Sequence, residues 1–387
     1  MKRLLVILII SAFICGVTIS QNLQSDVDTL AFVDYVKKNG QEPKDFMMEK
    51  LSNHKLVIYG EVHRRKASWD LLKSIIKDPS FSKRTGIVFL EMSSDSQEKM
   101  DKFFANEDMN KEIILDIFRD VQMPGWPDRG MYEFVIDLWN INRGLAKNEK
   151  INLVLVDIPR PYSSLKTKEE FDNHFKNLPI PNRDHQMADI IEKSMQCRTD
   201  ERSGLFIVGM AHAFNARAAV GNSIWITAGS HLKECFSDKD VFIFSTHAAI
   251  MNNTGYMAGL TRNGIFDYAF KRNGNKPVAF NLAGSPFGKE RFDLILELKS
   301  FEDVGSYENN FDGLIFLMPL KDEGPQYLLP ELFTENFVQE LRRRAIIFGN
   351  ENWRQYGAKV KDITLDDIHK CFQKEAQDKY WNNLNEN

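Results

Sequence analysis

Cysteine is scarce in this chain, four in 387 residues, and one of them, Cys15, lies in the N-terminal apolar run. Cys197, Cys235 and Cys371 are an odd set without close spacing, which excludes a zinc cluster and a disulfide framework and leaves room for one bridge in an oxidising compartment. An excess of charge of either sign is missing too. With 50 Lys and Arg against 54 Asp and Glu, the net charge is -4 and the pI is near 6.1. Nucleic acid is thereby excluded as the main partner, because phosphate binding needs a basic footprint. No stretch after residue 20 is apolar enough to cross a membrane, and no internal repeat of solenoid type is found.

What is present is apolar material, 43% hydrophobic against 27% charged, enough for a substantial core. Residues 1–20 read as a signal peptide. Lys2 and Arg3 precede an apolar run from Leu4 to Val17 that is too short to span a bilayer comfortably, and Thr18 and Ser20 suit the minus-three and minus-one positions of a cleavage site. The protein is expected to be exported, to the periplasm or the cell surface, with a mature chain from near Gln21. Lipid anchoring at Cys15 ranks second, since Ala12-Phe13-Ile14 lacks the small residue expected beside a lipidated cysteine. Membrane contact is expected only through this signal or anchor.

The chain is organised around Leu56-Val57-Ile58-Tyr59-Gly60-Glu61-Val62-His63. An apolar strand runs into glycine, and a carboxylate and an imidazole follow two positions apart, on one side of an extended segment. The pattern recurs: Ile87-Val88-Phe89-Leu90 ends in Glu91, Leu153-Val154-Leu155-Val156 in Asp157, and Leu205-Phe206-Ile207-Val208-Gly209 leads to His212. Strands apolar throughout are buried on both faces, the mark of a parallel sheet covered by helices, and such sheets gather ligand groups at their carboxyl ends. Trp69, Leu72 and Ile76, then Met100, Phe103 and Phe104, then Met131, Phe134, Leu138, Ile141 and Leu145 have helical spacing between these strands. The fold class is therefore α/β, a mainly parallel central sheet covered by helices, with helical N- and C-terminal additions.

Residues 21–54 read as a helical lead-in, 55–325 as the α/β domain with Val241-Phe242-Ile243-Phe244 as a fifth strand, and 326–387 as a C-terminal helical extension packed on the same domain. Leu314 to Met318 reads as a further strand at the end of the α/β domain. Two long interruptions, Pro159 to Pro181 and Asn252 to Gly288, leave the edge that carries the site residues and are placed to line or cover a pocket. The run Arg342-Arg343-Arg344 reads as a solvated helix end.

Several motifs together resemble the superfamily that joins ChaN-type haem-binding lipoproteins, erythromycin esterases and the Tiki/TraB proteins. They are Gly60-Glu61-Val62-His63 with its following helix, Phe89-Leu90-Glu91-Met92 with Gln97 and Met100-Asp101, Trp126 and Tyr132, Arg183 and Met187, and Val208-Gly209-Met210-Ala211-His212. The likeness covers roughly residues 50 to 320. From the esterase branch it implies that His63 is a general base supported by Glu61, Glu91 and His212. From the Tiki branch it implies a metal-dependent peptidase, with Glu61, Glu91 and His212 as ligands. From the ChaN branch it implies haem binding for iron uptake, the Met92 and Gln97 context being nearest to that branch. The Glu61-Val62-His63 spacing departs from the longer spacer of the esterases, so a macrolide substrate is not implied.

The residues support these chemistries on their own terms. A histidine whose tautomer is fixed by a carboxylate can take a proton from water, and two glutamates with two histidines could equally hold a divalent metal. Each residue alone has a plainer reading: a glutamate after a strand starts a helix, a histidine there is hydrogen-bonded structure, and Asp157 before Pro159 caps a turn. Arg183 is a carboxylate clamp or a helix-surface residue. Trp126 would wall a pocket and stack on a flat ligand, and His247, after the fifth strand, stands where a fifth site residue would. The function expected is a hydrolase acting on an ester or amide of a small-molecule or peptide ligand, with a divalent metal or haem as the cofactors to consider. The alternative is a tetrapyrrole binder.

Overall fold

Seven short apolar segments pair into one sheet. In the computed structural model, which describes residues 29–122, 124–176, 183–215, 217–220, 223–251, 257–294, 304–348, 352–353, 358–359 and 362–377, these segments are β1 (Leu56–Glu61), β2 (Thr85–Ser93), β3 (Asn152–Asp157), β4 (Ser203–Gly209), β5 (Val241–Thr246), β6 (Val278–Asn281) and β7 (Gly313–Phe316). Their order across the sheet is β6-β7-β5-β1-β4-β2-β3. Every pairing is parallel except that of β6 with β7, so the mainly parallel α/β sheet expected from the sequence is present. All residues of β1, β4 and β5 are buried, as strands covered on both faces must be. Residues 1–20, read as a signal peptide, and Cys15 within them lie outside the described residues, as do parts of both long interruptions.

Helices cover both faces. In chain order the main ones are α1 (29–39), α2 (Pro43–Asn53), α3 (Lys66–Ile76), α4 (Gln97–Ala105), α5 (Lys111–Asp120), α6 (Arg129–Gly144), α7 (Lys168–Lys176), α8 (Arg183–Gln196), α9 (Ala228–Phe236), α10 (Ile265–Arg272), α11 (Glu335–Phe348) and α12 (Leu365–Gln377). Val57, Tyr59, Val88 and Leu90 face a core filled from α3, α4, α5, α6 and α11. Their alternating neighbours Leu56, Ile58, Ile87 and Phe89 face a second core filled from α1, α8, α9 and α10. This is the period-two pattern of a two-sided strand.

Two elements differ from the sequence reading. The second interruption contains β6, whose four residues follow Pro277 and are too short to register as a strand by pattern. Its outer edge is closed by Gln41, which exchanges two 2.9 Å backbone hydrogen bonds with Ala279, so the lead-in hides an otherwise open sheet edge.

The arginine run is the second. Arg344 is 1% exposed rather than solvated, because α11 packs on the end of α5, where its guanidinium donates to Asp120 at 2.6 Å and to Glu340 at 2.8 Å. Arg343 donates to the carbonyls of Leu165 and Tyr162, and Arg342 to that of Ile363. These side chains tie α11 to the end of α5, to the loop after β3 and to the segment before α12. Cys197 and Cys235 are exposed and Cys371 is partly exposed, and no disulfide joins them.

An Arg344→Ala variant leaves the buried Asp120 carboxylate with only Lys99, 3.7 Å away, for a cation and should lose about 3 kcal/mol of stability by denaturant unfolding. The Arg344→Met/Asp120→Leu double variant should recover most of it. A midpoint for Arg344→Ala equal to the wild type's would show that α11 is not held by this pair.

Candidate functional site

The ionisable residues at the strand ends meet at the carboxyl edge of the sheet. Glu61 ends β1 and is 2% exposed, and its Oε1 bonds Nδ1 of His63, two residues on. Its other oxygen is buried without a partner among the described residues. In β2, a register shift between Leu90 and Ser93 inserts one extra residue beside Glu91; bulges of this kind re-aim side chains at site edges. His212 stands in the short helical turn Met210–Ala213 that follows β4. That turn can approach β1 because Gly60 has no side chain: a Cβ there would lie 3.0 Å from the Ala213 Cβ.

Arg183, at the start of α8, is the hub. Its Nε and Nη2 donate to the two oxygens of Asp157 at 2.6 and 2.8 Å, Nη2 donates also to Glu91 Oε1, and Nη1 donates to His212 Nε2 at 2.9 Å. Burial works against the guanidinium charge, but Glu91 and Asp157 outweigh it and raise its pKa. The second oxygen of Glu91 accepts the Gly209 N–H at 2.7 Å. Burial opposes the ionisation of Glu91, yet the Arg183 guanidinium beside it leads the charges that bring its pKa down to about 2. The stability this pairing contributes is complete above the ordinary carboxylate range and is lost as pH falls toward 2.

The two imidazoles are held differently. His212 Nδ1 donates to Asp184 Oδ1 at 2.8 Å, and that carboxylate also accepts from Ala228 N and from Trp225 Nε1. With Nε2 accepting from Arg183, both ring nitrogens of His212 are engaged. His63 is bound at Nδ1 alone, its Nε2 has no partner among the described residues, and its side chain is 39% exposed. Burial disfavours the His63 cation, but the Glu61 carboxylate more than reverses this and raises its pKa to about 9.

Of the residues singled out by sequence, Glu61, His63, Glu91, Asp157, Arg183 and His212 are thus connected or in close approach. Trp126 adjoins them, its ring edge-on to His63 with centroids 4.8 Å apart, while the Arg64 guanidinium lies 4.6 Å over it. His247 is not brought into this cluster. It is 3% exposed, its Nε2 meets Asp267 on α10 at 3.0 Å, and its ring packs on Phe270 and Phe316. Met92 is buried in the core, and Gln97 bonds the backbone of Leu153 and Leu155 on the edge strand β3, so neither faces a ligand. Asp184 and Asp128 were not found by sequence. Asp128 is buried, accepts from the backbone of Arg64 and Met131, and is raised to about 6 by burial and then by the nearby Glu61 charge. Its one sequence signal is its place as the capping residue before α6.

The donor set does not fit a metal held by Glu61, Glu91 and His212. Arg183 already occupies the space among Glu91, Asp157 and His212, and no group of three acidic, His or Cys side chains among the described residues is placed to hold an ion. The pocket of about 380 Å³ beside His63 is lined by both charged and apolar side chains, among them Arg64, Lys66, Glu323, Met318, Pro325 and Tyr327.

Neither the protein-family models nor the curated proteins contain a match to this chain. Solved structures do. One described as a succinoglycan biosynthesis protein superposes with a TM-score of 0.52 at 11% identity, over 73% of this chain and 95% of that one. An erythromycin esterase mutant, EreC in its open conformation, gives 0.49 at 9% identity over 70% and 92%. The haem-binding ChaN of Campylobacter jejuni gives 0.36 at 16% identity over 53% and 86%. At 11% identity the first of these shows a likeness of fold alone. The esterase and ChaN branches named from the sequence both occur among the structural neighbours, and the Tiki likeness rests on the motifs alone.

Gly209 allows His63 and Glu91 to converge, since a Cβ there would stand 2.9 Å from His63 Cε1 and 3.1 Å from Glu91 Oε2. In a Gly209→Ala variant the imidazole should be pushed off Glu61, and its titration, followed by NMR, should fall from about 9 toward the ordinary histidine value of about 6.5. An unmoved titration in a folded variant would contradict this packing.

Proposed function

We propose that this chain is an exported hydrolase in which the Glu61–His63 pair activates water against an ester or amide bond of a small-molecule or peptide substrate. The observation that carries the reading is the asymmetry of the His63 ring. A buried carboxylate holds Nδ1, while Nε2 is uncommitted in a partly exposed side chain that lines the pocket. When the ring is neutral, the proton on Nδ1 points at Glu61 and the lone pair sits on Nε2, the arrangement a general base requires. Nε2 takes a proton from water, the resulting hydroxide adds to the carbonyl carbon, and the imidazolium returns the proton to the departing oxygen or nitrogen. Glu91, Arg183, Asp157 and His212 act as the frame that sets where this happens.

Metal is not routed through this mechanism, because Arg183 stands where the acids and His212 would have to share an ion. The uncommitted Nε2 of a ring whose Nδ1 is held by a buried carboxylate favours hydrolysis over tetrapyrrole binding. No helix among the described residues is long and apolar enough to cross a membrane, and the proposal of export rests on the N-terminal motif.

The raised pKa fixes the sign of the pH dependence. Below about 9 the ring is mainly a cation, so the fraction able to accept a proton grows about tenfold per pH unit until it levels off. For a model ester, kcat/KM should rise from pH 6 to a plateau above about 9. His63→Ala should lower it by about 10²–10⁴-fold, and Glu61→Gln should move the inflection down toward about 6.5. A chelator should leave the rate unchanged. A profile that falls between pH 7 and 9, or full activity in a folded His63→Ala variant, would remove the role given to His63.

A further inference from the structure

The pocket beside His63 has one cation left unanswered. Arg65 grips both oxygens of Glu323 and donates to the His247 carbonyl, and Lys66 pairs with Asp70. Arg64 has no carboxylate within ion-pair distance among the described residues. Asp322 also lines the pocket but is exposed and forms no pair with it. The side-chain partners of Arg64 are neutral: Nη1 donates to Gln326 Oε1 at 3.3 Å, the guanidinium stacks over Trp126, and Nε is buried with no acceptor.

This arginine is also fixed in place. Its backbone holds φ 64°, a left-handed conformation uncommon outside glycine, through a bond from its N–H to Asp128 at 3.1 Å and one from Tyr327 N–H to its carbonyl at 2.8 Å. Stacking on an indole immobilises the planar fork and leaves its edge free to bind two oxygens at once. Its sequence neighbour His63 presents a second positive group on the same pocket wall, while the acid that answers it, Glu61, is buried at the other ring nitrogen. Two neighbouring cations repel each other unless an anion lies between or before them.

We propose that Arg64 anchors an anionic oxygen group of the substrate, a carboxylate or a phosphate, beside the bond that His63 addresses. The inference deepens the hydrolase reading and rests on it for the word substrate, while the anion site itself stands on the geometry of Arg64. Substrates of this class are esters or amides that carry such a group close to the bond that is cut.

The full chain is titrated calorimetrically with succinate and, separately, with inorganic phosphate, as wild type, Arg64→Asn and Arg64→Lys. Asparagine enters left-handed φ readily and so keeps the turn, which unfolding midpoints would verify. The wild type should bind one of the two anions, and which one names the group. Arg64→Asn should weaken that binding at least tenfold, and Arg64→Lys, which keeps charge but not the fork, should fall between. Failure of both anions to bind the wild type, or equal binding by Arg64→Asn, would overturn the proposal. In parallel, the hydrolysis of p-nitrophenyl hemisuccinate is compared with that of its methyl ester. Binding through Arg64 with neither ester hydrolysed keeps the anion site and removes the hydrolase reading. Hydrolysis of both esters at equal kcat/KM, with no anion bound, keeps the hydrolase and removes the anion site.

Discussion

Two buried carboxylates on adjacent strands can approach one another only if a cation stands between them, and in this protein that cation is Arg183. Glu91 and Asp157 come from β2 and β3, neighbours whose backbones lie about 4.8 Å apart. Unscreened, two such charges would repel by about 3–4 kcal/mol even at an effective dielectric constant of 20. The guanidinium bonds both acids and His212 at once. It thereby joins the ends of β2 and β3 and the turn after β4 into one rigid floor. A covalently attached cation does here what a bound divalent ion could do, and because it is planar and forked it also dictates directions.

The next residue extends that control. Arg183 holds Nε2 of His212 and Asp184 holds Nδ1, so consecutive positions of one helix grip opposite sides of the same ring. Trp225 and Ala228 complete the shell of Asp184. His212 is consequently a fixed strut, with no nitrogen to spare. His63 differs by one bond: its Nδ1 is satisfied and its Nε2 is open. Two histidines that look equivalent at the ends of two strands are therefore unequal in chemistry, and the difference lies in the position of a single arginine.

How far the sequence revealed this depends on the distance over which each signal acts. The strand ends were legible because a parallel sheet imposes continuous apolar runs and collects polar groups where those runs stop; Glu61, His63, Glu91, Asp157 and His212 all follow from that rule. Arg183 was legible only through the likeness of motifs. Asp184 carried no signal and Asp128 only that of a helix cap, since what distinguishes them is contact with residues 28 and 64 positions away. His247 obeyed the strand-end rule and still fell outside the cluster, its ring bonded to Asp267 on α10 and packed on Phe270 and Phe316. Arg344 was read from its position at a helix end, and the partner that buries it, Asp120, lies in another helix far earlier in the chain. Local pattern reports the backbone's needs, whereas ion pairs between distant elements leave no mark on it.

The turn after His63 shows how such distant pairs set the site's electrostatics. Asp128 holds Arg64 in its left-handed conformation and caps α6 by accepting from Met131 N–H, and it lies close enough to Glu61 for their charges to interact. Burial and that neighbour push its pKa up to about 6. The folded chain therefore retains a proton on Asp128 at a pH where the unfolded chain has released it, and the stability associated with this group declines as pH rises from about 4 toward 6. An isolated turn would not keep an acid under that strain. It persists because the carboxylate accepts the backbone N–H groups of Arg64 and Met131, and so fixes the turn that carries His63 and Arg64 to the pocket wall.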